Sequence, residues 1–252
     1  MKDKKAYQQF GQHYQEEAAS YDLRRSCRHE KLYEEIIKKS SLEFFGPNLS
    51  SVHCLEAGCG TGRFSLFFAE HGASVTALDY SQAMLSQTAK KVKKLNLKKF
   101  NLVLGDINHL PFKDASFDLV FSYGVLRHFS DPNRAIAEMC RVLKPGGRLV
   151  FDFLNTDFLK MSRWRQIAPL FFRRFASSGN GFYQNYLFSF RDLSSQLSRH
   201  HLQVKKAKYF IKFPSHLLLC RLKLSFLYPV IFFLENKLNW GTVGLIFAVK
   251  NK

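Results

Sequence analysis

The residues Glu-Ala-Gly-Cys-Gly-Thr-Gly at positions 56–62 have the composition of a ligand-binding turn. Glycines permit a tight turn and let a ligand lie against the bare backbone, while the N-terminus of a following helix supplies N–H donors to an anionic group. Asp79 follows 21 residues after Gly58, and a carboxylate placed there can accept hydrogen bonds from both hydroxyls of a ribose. Together, the loop and the acid predict a site for a nucleoside that carries an anionic group.

The spacing of the three glycines narrows the choice of ligand. Dinucleotide-binding folds use Gly-x-Gly-x-x-Gly, whose third glycine lets helix and strand pack closely, whereas here the glycines fall at 58, 60 and 62 and Arg63 follows. The P-loop pattern is absent as well, because no Gly-Lys-Ser/Thr follows. A Gly-x-Gly-x-Gly loop preceded by an acid fits a ligand with one carboxylate and one amine. We therefore expect Glu56 either to order the loop or to meet that amine, directly or through water.

Apolar strands that alternate with helical patterns must position this loop. The pattern predicts a helix at 63–71 and strands at 52–56, 73–78, 100–104, 117–121 and 148–153. Ser81 has the type and place of a helix cap, and Asp131 followed by proline marks a second helix start. Strand–helix alternation with short connections indicates a parallel sheet covered on both faces. Beyond residue 156 the pattern weakens, and it predicts helix and loop at 157–190, a helix at 192–200 and strands at 204–213 and 242–249.

The stretch from Ser51 to Asp152 resembles the class I S-adenosylmethionine-dependent methyltransferases, in particular the small-molecule group called the type 11 methyltransferase domain. The matching segments are 55–62, 75–81 with Met84, 105–106 with 110–112, 116–120, 125–131 and 141–148. The resemblance implies an α/β fold with a Rossmann-like sheet of seven strands. We expect that sheet to be mostly parallel, with an antiparallel last strand, and to carry a helical cap.

The resemblance also implies roles for single residues. Gly58 and Gly60 would approach the methionine part of S-adenosylmethionine, and Asp79 would bind its ribose hydroxyls. Four residues would surround the adenine: Tyr80, Met84, Asp106 and Ile107. Two would lie beside the reactive sulfonium: Ser122 and Tyr123. Without the motif, Tyr80 and Met84 are expected to pack in the core, and the two aspartates to cap or stabilise turns.

A histidine and an arginine follow the fourth predicted strand. Proximity and orientation supply much of the acceleration of methyl transfer from a sulfonium, but an oxygen acceptor can use a general base. His128 is the candidate catalytic residue, because a neutral imidazole is available near pH 7; the alternative is that it packs or caps near the helix that begins at Asp131. Leu-Arg-His at 126–128 is similar to the Leu-Arg-Asn of quinone C-methyltransferases, which makes Arg127 a candidate substrate-side residue.

Tyr14 and Tyr21 belong to an N-terminal segment that resembles the lid of such enzymes, where a Tyr-Asp pair closes over the cofactor. Aromatic side chains in a lid exclude water from the transfer site. The alternative is plain packing of an N-terminal helix on the domain. The predicted organisation is a helical lid at 1–50, a cofactor-binding core at 51–159, and an acceptor-side cap at 160–252 that completes the sheet.

The positive charge of the chain is concentrated in that last part. Up to residue 159 the chain has 22 basic and 18 acidic residues, and from residue 160 onward it has 16 basic and two acidic ones. The apolar segment Leu217–Leu234 contains two basic residues and a proline, so it falls short of a spanning helix. It could line an acceptor channel, lie on an anionic membrane surface, or form a buried cap helix whose basic side chains reach outward.

The composition bounds the remaining possibilities. Apolar residues make up 46% of the chain, which excludes wholesale disorder. Five cysteines without regular spacing and a charged N-terminus suggest a cytoplasmic protein, with peripheral membrane attachment as an option. No histidine or cysteine spacing suggests a metal site, and the oligomeric state is not predicted.

We therefore expect methyl transfer from S-adenosylmethionine to a small apolar or anionic acceptor, such as a quinone precursor or a lipid. RNA methylation is one alternative, because basic residues mixed with aromatic ones suit RNA. Against it, residues 122–125 lack the Asn/Asp-Pro-Pro-Phe/Tyr run used for base-amine methylation. The other alternative is an inactive cofactor-binding or membrane-associated assembly factor.

Overall fold

The computed structural model of the chain describes residues 13–25, 28–156, 186–210 and 243–251. Of the stretch 157–190 that was predicted to be helix and loop, residues 157–185 lie outside the described residues, as does the segment Leu217–Leu234. None of the described helices combines the length and the apolar character needed to cross a membrane. The division of the chain at residues 50 and 159 stays a prediction.

The described strands form one sheet. Their bounds are β1 His53–Ala57, β2 Ser74–Asp79, β3 Phe100–Leu104, β4 Phe117–Ser122, β5 Leu143–Asn155, β6 Leu187–Phe188, β7 Leu202–Phe210 and β8 Val243–Lys250. The order across the sheet is β3-β2-β1-β4-β5-β8-β7, and the two-residue β6 pairs with β5. Strands β1 to β5 run parallel to one another, whereas β8 is antiparallel to both β5 and β7. The predicted seven-stranded sheet with an antiparallel last strand is confirmed, and β6 is an unpredicted addition.

Helices connect and cover the strands. Their bounds are α1 Tyr21–Arg24, α2 Arg28–Phe45, α3 Arg63–Glu70, α4 Gln82–Lys94, α5 Asn133–Val142 and α6 Phe190–Arg199, with a 3₁₀ turn at Leu126–His128. The predicted cap of α4 is present, because the Ser81 hydroxyl accepts a hydrogen bond from the Met84 N–H at 3.3 Å. At the start of α5, the Asp131 carboxylate accepts from the Asn133 N–H at 2.9 Å.

Apolar side chains cover both faces of the sheet. Along β8, Leu245 and Phe247 belong to a cluster that includes residues of α2 and α3, whereas Ile246 and Ala248 belong to a cluster that includes residues of α5 and α6. This alternation follows from the period of two along a strand. Both faces of the sheet are thus buried, and the carboxyl ends of the parallel strands β1, β2 and β4 lie together at one edge of the sheet.

Candidate functional site

A pocket lies at that edge of the sheet, with an empty volume of about 720 Å³ that includes space open to solvent. Its walls are Tyr14, Tyr21, Gly58, Gly60, Leu78, Asp79, Tyr80, Ser81, Met84, Gly105, Ile107, Tyr123, Gly124, Val125, His128 and Phe129. Ten of the residues predicted for the site line it. Four others lie outside its walls: Glu56, Asp106, Ser122 and Arg127.

The glycine loop presents its backbone to the pocket, as its composition predicted. Gly58 and Gly60 have φ angles of +84° and +56°, in the left-handed region that favours glycine. A Cβ atom on Gly58 would lie 2.3 Å from a methyl carbon of Val125, whereas the Cβ position of Gly60 faces open space. A ligand can therefore approach the bare backbone at Gly60, and Gly58 is fixed by the close approach of Val125.

Asp79 joins the end of β2 to this loop. One carboxylate oxygen accepts from the Gly60 N–H at 2.7 Å, and the other accepts from the Ser81 N–H at 2.8 Å. Burial raises the pKa of Asp79 above its ordinary value, although these backbone donors partly oppose the rise. A carboxylate offers about four lone-pair sites, more than the backbone donors of Gly60, Tyr80 and Ser81 occupy. The turn-stabilising role and the ribose-binding role are therefore compatible, and the residues present fit a nucleoside with free hydroxyls.

Glu56 is turned away from the pocket. It is only 2% exposed, and its carboxyl group accepts a hydrogen bond from the Ser65 hydroxyl of α3. Burial raises the pKa of Glu56 to about 8, so the group is mostly protonated at neutral pH. This hydrogen bond joins the end of β1 to α3, and the two roles expected for Glu56 stay predictions.

The adenine-side residues separate into two groups. Tyr80, Met84 and Ile107 line the pocket, and Tyr80 is 40% exposed. The Asp106 carboxylate instead accepts from the backbone N–H and the side-chain amide of Asn108, at 2.8 and 3.0 Å. Asp106 thus stabilises the turn that carries Ile107, which is the alternative role expected from its sequence.

Ser122 is also directed away from the pocket. It is 1% exposed, and its hydroxyl donates to the carbonyl oxygen of Ala57 at 2.8 Å. This hydrogen bond joins the ends of β4 and β1. The next residue, Tyr123, takes the position on the pocket wall.

Residues 13–25 cross the pocket and are called the N-terminal strap below. The side chain of Gln15 accepts from the Ala83 N–H at 2.8 Å, at the start of α4. The Tyr14 hydroxyl lies 3.3 Å from Nε2 of His128, and the rings of Tyr14 and Tyr21 meet edge to face with centroids 6.1 Å apart. The strap therefore contacts two separate walls of the pocket.

Asp22 fastens the strap to the glycine loop. It accepts from the Thr61 hydroxyl at 2.6 Å and pairs with Nζ of Lys91 at 2.5 Å, while the same Lys91 group donates to the Thr61 carbonyl at 2.8 Å. Burial alone would raise the pKa of Asp22, but the bonds from Lys91 and Thr61 outweigh it and the pKa lies below its ordinary value. Sequence reasoning found the Tyr-Asp pair but missed its partners, because they lie in other elements.

An acid on β5 holds the far wall. Asp152 is 1% exposed; one of its oxygens accepts from the Gly124 N–H at 2.6 Å, and the other pairs with the Arg127 guanidinium. Arg127 therefore supports the wall from behind. Asp152 was missed by the sequence reasoning, and the available signal was an acid between Phe151 and Phe153 in an otherwise apolar strand.

The two titratable groups on this wall are both held neutral. Burial, Arg127 and Arg25 lower the pKa of His128 to about 3. Burial and the neighbouring Asp152 raise the pKa of Tyr123 above its ordinary value. A histidine with such a low pKa holds a proton poorly, so the wall can accept and donate hydrogen bonds but offers a weak general base.

Comparisons with known proteins match this geometry. Residues 55–151 fit the model of a methyltransferase domain family. The chain is 39% identical over 115 residues to malonyl-[acyl-carrier protein] O-methyltransferase of Serratia marcescens, which is 45% of this chain and 43% of that protein. It is 38% identical over 122 residues to demethylmenaquinone methyltransferase of Listeria welshimeri, which is 47% of this chain and 51% of that protein.

A solved structure extends the likeness in fold beyond that region. It is magnesium protoporphyrin IX methyltransferase of Synechocystis, which was crystallised with bound S-adenosylhomocysteine (SAH). The match has a TM-score of 0.60 at 16% identity, over 92% of this chain and 94% of that one. The chain spans about half the length of the curated relatives it matches. With the glycine loop, the acid after β2 and the sheet order, these findings identify residues 55–151 as a methyltransferase domain with a Rossmann-like sheet.

Proposed function

We propose that the chain transfers a methyl group from S-adenosylmethionine to a small apolar or anionic acceptor. The observation that carries the proposal is the contact between Asp79 and the Gly60 N–H at 2.7 Å, on the wall of a pocket. It places an acid that suits ribose hydroxyls beside a bare backbone that suits the amino-acid end of the cofactor. When bound, the cofactor supplies an activated methyl group; the protein's part is to bind, orient and exclude water.

The predicted site residues divide into direct and indirect roles under this proposal. Gly58, Gly60 and Asp79 bind the methionine and ribose parts. Three residues surround the adenine: Tyr80, Met84 and Ile107. Four residues act from behind the pocket wall. Glu56 holds the glycine loop and Asp106 holds the turn that carries Ile107. Ser122 holds the end of β4, and Arg127 supports the wall at Gly124. Tyr14, Tyr21 and Tyr123 close the acceptor side.

His128 acts in this proposal as a neutral hydrogen-bond partner of Tyr14 rather than as a general base. A proton taken from the acceptor would have to rest beside Arg127 and Arg25, and the lowered pKa of His128 reflects that cost. The proposed acceptor therefore needs no strong base at this position.

The names of the relatives support a small acceptor. One is named for a malonyl group on an acyl-carrier protein and the other for demethylmenaquinone, and neither is a nucleic acid. The described residues offer no observation that favours RNA, a membrane surface or an inactive scaffold.

Titration calorimetry with S-adenosylmethionine and with its demethylated product SAH tests the proposal. We expect both to bind, and we expect Asp79→Ala to weaken binding at least tenfold, because buried hydrogen bonds to a charged group contribute about 1.5–3 kcal/mol. Asp114→Asn is the matched control, since Asp114 is 78% exposed and pairs with Arg141 away from the pocket. Absence of binding, or full binding by Asp79→Ala, contradicts the proposal. Label transfer from methyl-labelled cofactor into fractionated cell extract then identifies the acceptor class.

A further inference from the structure

Arg25 carries a positive charge directly behind the acceptor side of the pocket. It follows α1 at the end of the N-terminal strap, and its guanidinium carbon lies 4.8 Å from the ring centroid of Tyr21, a wall residue. Within the part of the chain that the structure describes, Arg25 forms an ion pair with Glu30 at 3.6 Å, which is beyond the usual hydrogen-bond distance. The side chain of Arg25 is 29% exposed, so its charge is neither fully paired nor fully solvated.

Arg127 provides a contrast on the same side. Its guanidinium forms an ion pair with the buried carboxylate of Asp152, which also accepts from Gly124. Its charge is therefore matched within the protein, although Nε of Arg127 is buried and meets no acceptor among the described residues. Of these two arginines, Arg25 is the one whose charge is less completely matched.

The charge of Arg25 extends across the pocket wall. Besides burial, Arg127 and Arg25 lower the pKa of His128; at Tyr123, Arg25 also acts to lower the pKa, but burial and Asp152 outweigh it. Both affected residues line the pocket. A negatively charged group placed beside His128 would therefore gain free energy from the same field that disfavours an imidazolium there.

We propose that Arg25 recognises a negative charge on the methyl acceptor, a carboxylate or an ionised hydroxyl, at the end of the pocket bounded by Tyr14, Tyr21, Tyr123 and His128. The inference rests on the proposed function and specifies its substrate class. An anionic acceptor attacks with its own lone pair: the new bond forms to the methyl carbon as the methyl–sulfur bond breaks, and the positive charge on sulfur and the negative charge on the acceptor both disappear. No proton leaves, which agrees with a wall that offers only a weak base.

The structural alternative is that Arg25 only packs on Tyr21 to hold the strap. Paired probes that differ in charge separate the two roles: benzoate with benzamide, 1-naphthoate with 1-naphthamide, and decanoate with decanamide. Binding of each probe to the full chain saturated with SAH is measured by ligand-observed NMR titration. We expect at least one carboxylate to bind about tenfold more tightly than its amide, as a charge-assisted hydrogen bond does.

Variants of Arg25 then locate the source of the preference. Arg25→Gln should remove the preference for the carboxylate, and Arg25→Lys should retain part of it, because lysine keeps the charge. Arg134→Gln is the matched control: Arg134 is exposed and bonds the Asn108 carbonyl. Affinity for SAH reports whether the strap stays in place, and we expect it to change less than about twofold in all three variants.

Equal binding of carboxylate and amide in every pair, or a preference that survives in Arg25→Gln, overturns the inference. A loss of preference in Arg25→Lys equal to that in Arg25→Gln would also count against it, because it would assign the effect to packing. If SAH does not bind to the wild-type chain, the proposed methyl transfer fails. The probe pairs are then titrated without SAH, so the two failures remain distinct.

Discussion

The carboxylate of Asp79 accepts a hydrogen bond from the backbone N–H of Gly60, at 2.7 Å. The acid after β2 and the loop after β1 are thereby one unit, and Asp79 shapes the binding surface as well as presenting an acceptor to a ligand. Substitutions of neighbouring glycines in the loop should therefore differ in their effects. One should mainly lower the free energy of unfolding, and the other should mainly weaken ligand binding.

Gly58→Ala and Gly60→Ala should differ in kind. A Cβ atom at Gly58 meets Val125 at 2.3 Å in addition to the strain of a left-handed φ, so we expect a loss of about 2–4 kcal/mol in the free energy of unfolding. Gly60→Ala adds only the strain, about 1 kcal/mol, but places a methyl group on the pocket wall. Urea denaturation should find Gly58→Ala the less stable of the two variants, and SAH titration should find Gly60→Ala the weaker binder. A second change, Val125→Ala, should recover part of the stability in Gly58→Ala and none in Gly60→Ala.

Asp22 should control how long a ligand stays in the pocket. Asp22→Asn removes the ion pair with Lys91 and weakens the bond to Thr61, so we expect the dissociation rate of SAH to rise about twofold to fivefold, a modest effect because both charged groups are partly exposed. The pKa of Asp22 is lowered in the folded chain, so its contribution is present above about pH 4 and is lost as the pH falls through the folded-state pKa. Stopped-flow displacement measures the rate, and Lys91→Met should match Asp22→Asn. An unchanged rate in both variants contradicts the assigned role of the strap.

Glu56 should make the folded chain less stable as the pH rises from about 4.3 to about 8. Its pKa is raised to about 8 by burial, so between these values the folded chain holds a proton that the unfolded chain has released. The free energy of unfolding then falls with pH, with a slope of up to about 1.4 kcal/mol per unit. Glu56→Gln keeps an acceptor for the Ser65 hydroxyl and should remove that slope. Denaturation curves at several pH values provide the comparison, and an identical slope in the variant would show that Glu56 is ionised when buried.

The variant Asp152→Asn should be less stable than the double variant that also carries Arg127→Met. Asp152→Asn leaves the buried Arg127 guanidinium without its charge partner, and we expect a loss of about 3–5 kcal/mol in the free energy of unfolding. In the double variant with Arg127→Met, the uncompensated charge is gone and the amide oxygen of Asn can still accept from Gly124. Chemical denaturation should therefore find the double variant more stable than Asp152→Asn alone, and the reverse order would remove the argument for a buried ion pair.

The fold followed closely from the alternation of strands and helices, because a strand buried on both faces is read from a short apolar run. Strand β3 was predicted with its observed bounds, Phe100–Leu104, and β1 and β2 within one residue. Strand β6 was missed because two residues carry no periodic pattern. The glycine loop and Asp79 were found because loop backbone and strand ends have local signatures.

The residues behind the pocket wall were harder to place, for a physical reason. Successive side chains of a strand point to opposite sides, so a motif that locates the end of β4 does not decide between Ser122 and Tyr123 as the wall residue. The lowered pKa of His128 depends on its burial and on Arg127 and Arg25, and the place of Arg127 depends on Asp152. These residues are brought together by the packing of segments that are distant in the sequence, so no spacing along the chain predicts their contacts.

The position of β8 between β5 and β7 bears on how the chain can be made. Strand β8 is synthesised after both of its neighbours, so during translation the edge of β5 stays open and β7 has no partner until residues 243–250 have emerged. An exposed apolar edge of this kind pairs readily with other chains. The stage of synthesis between β5 and β8 is therefore one at which this sheet is exposed to aggregation.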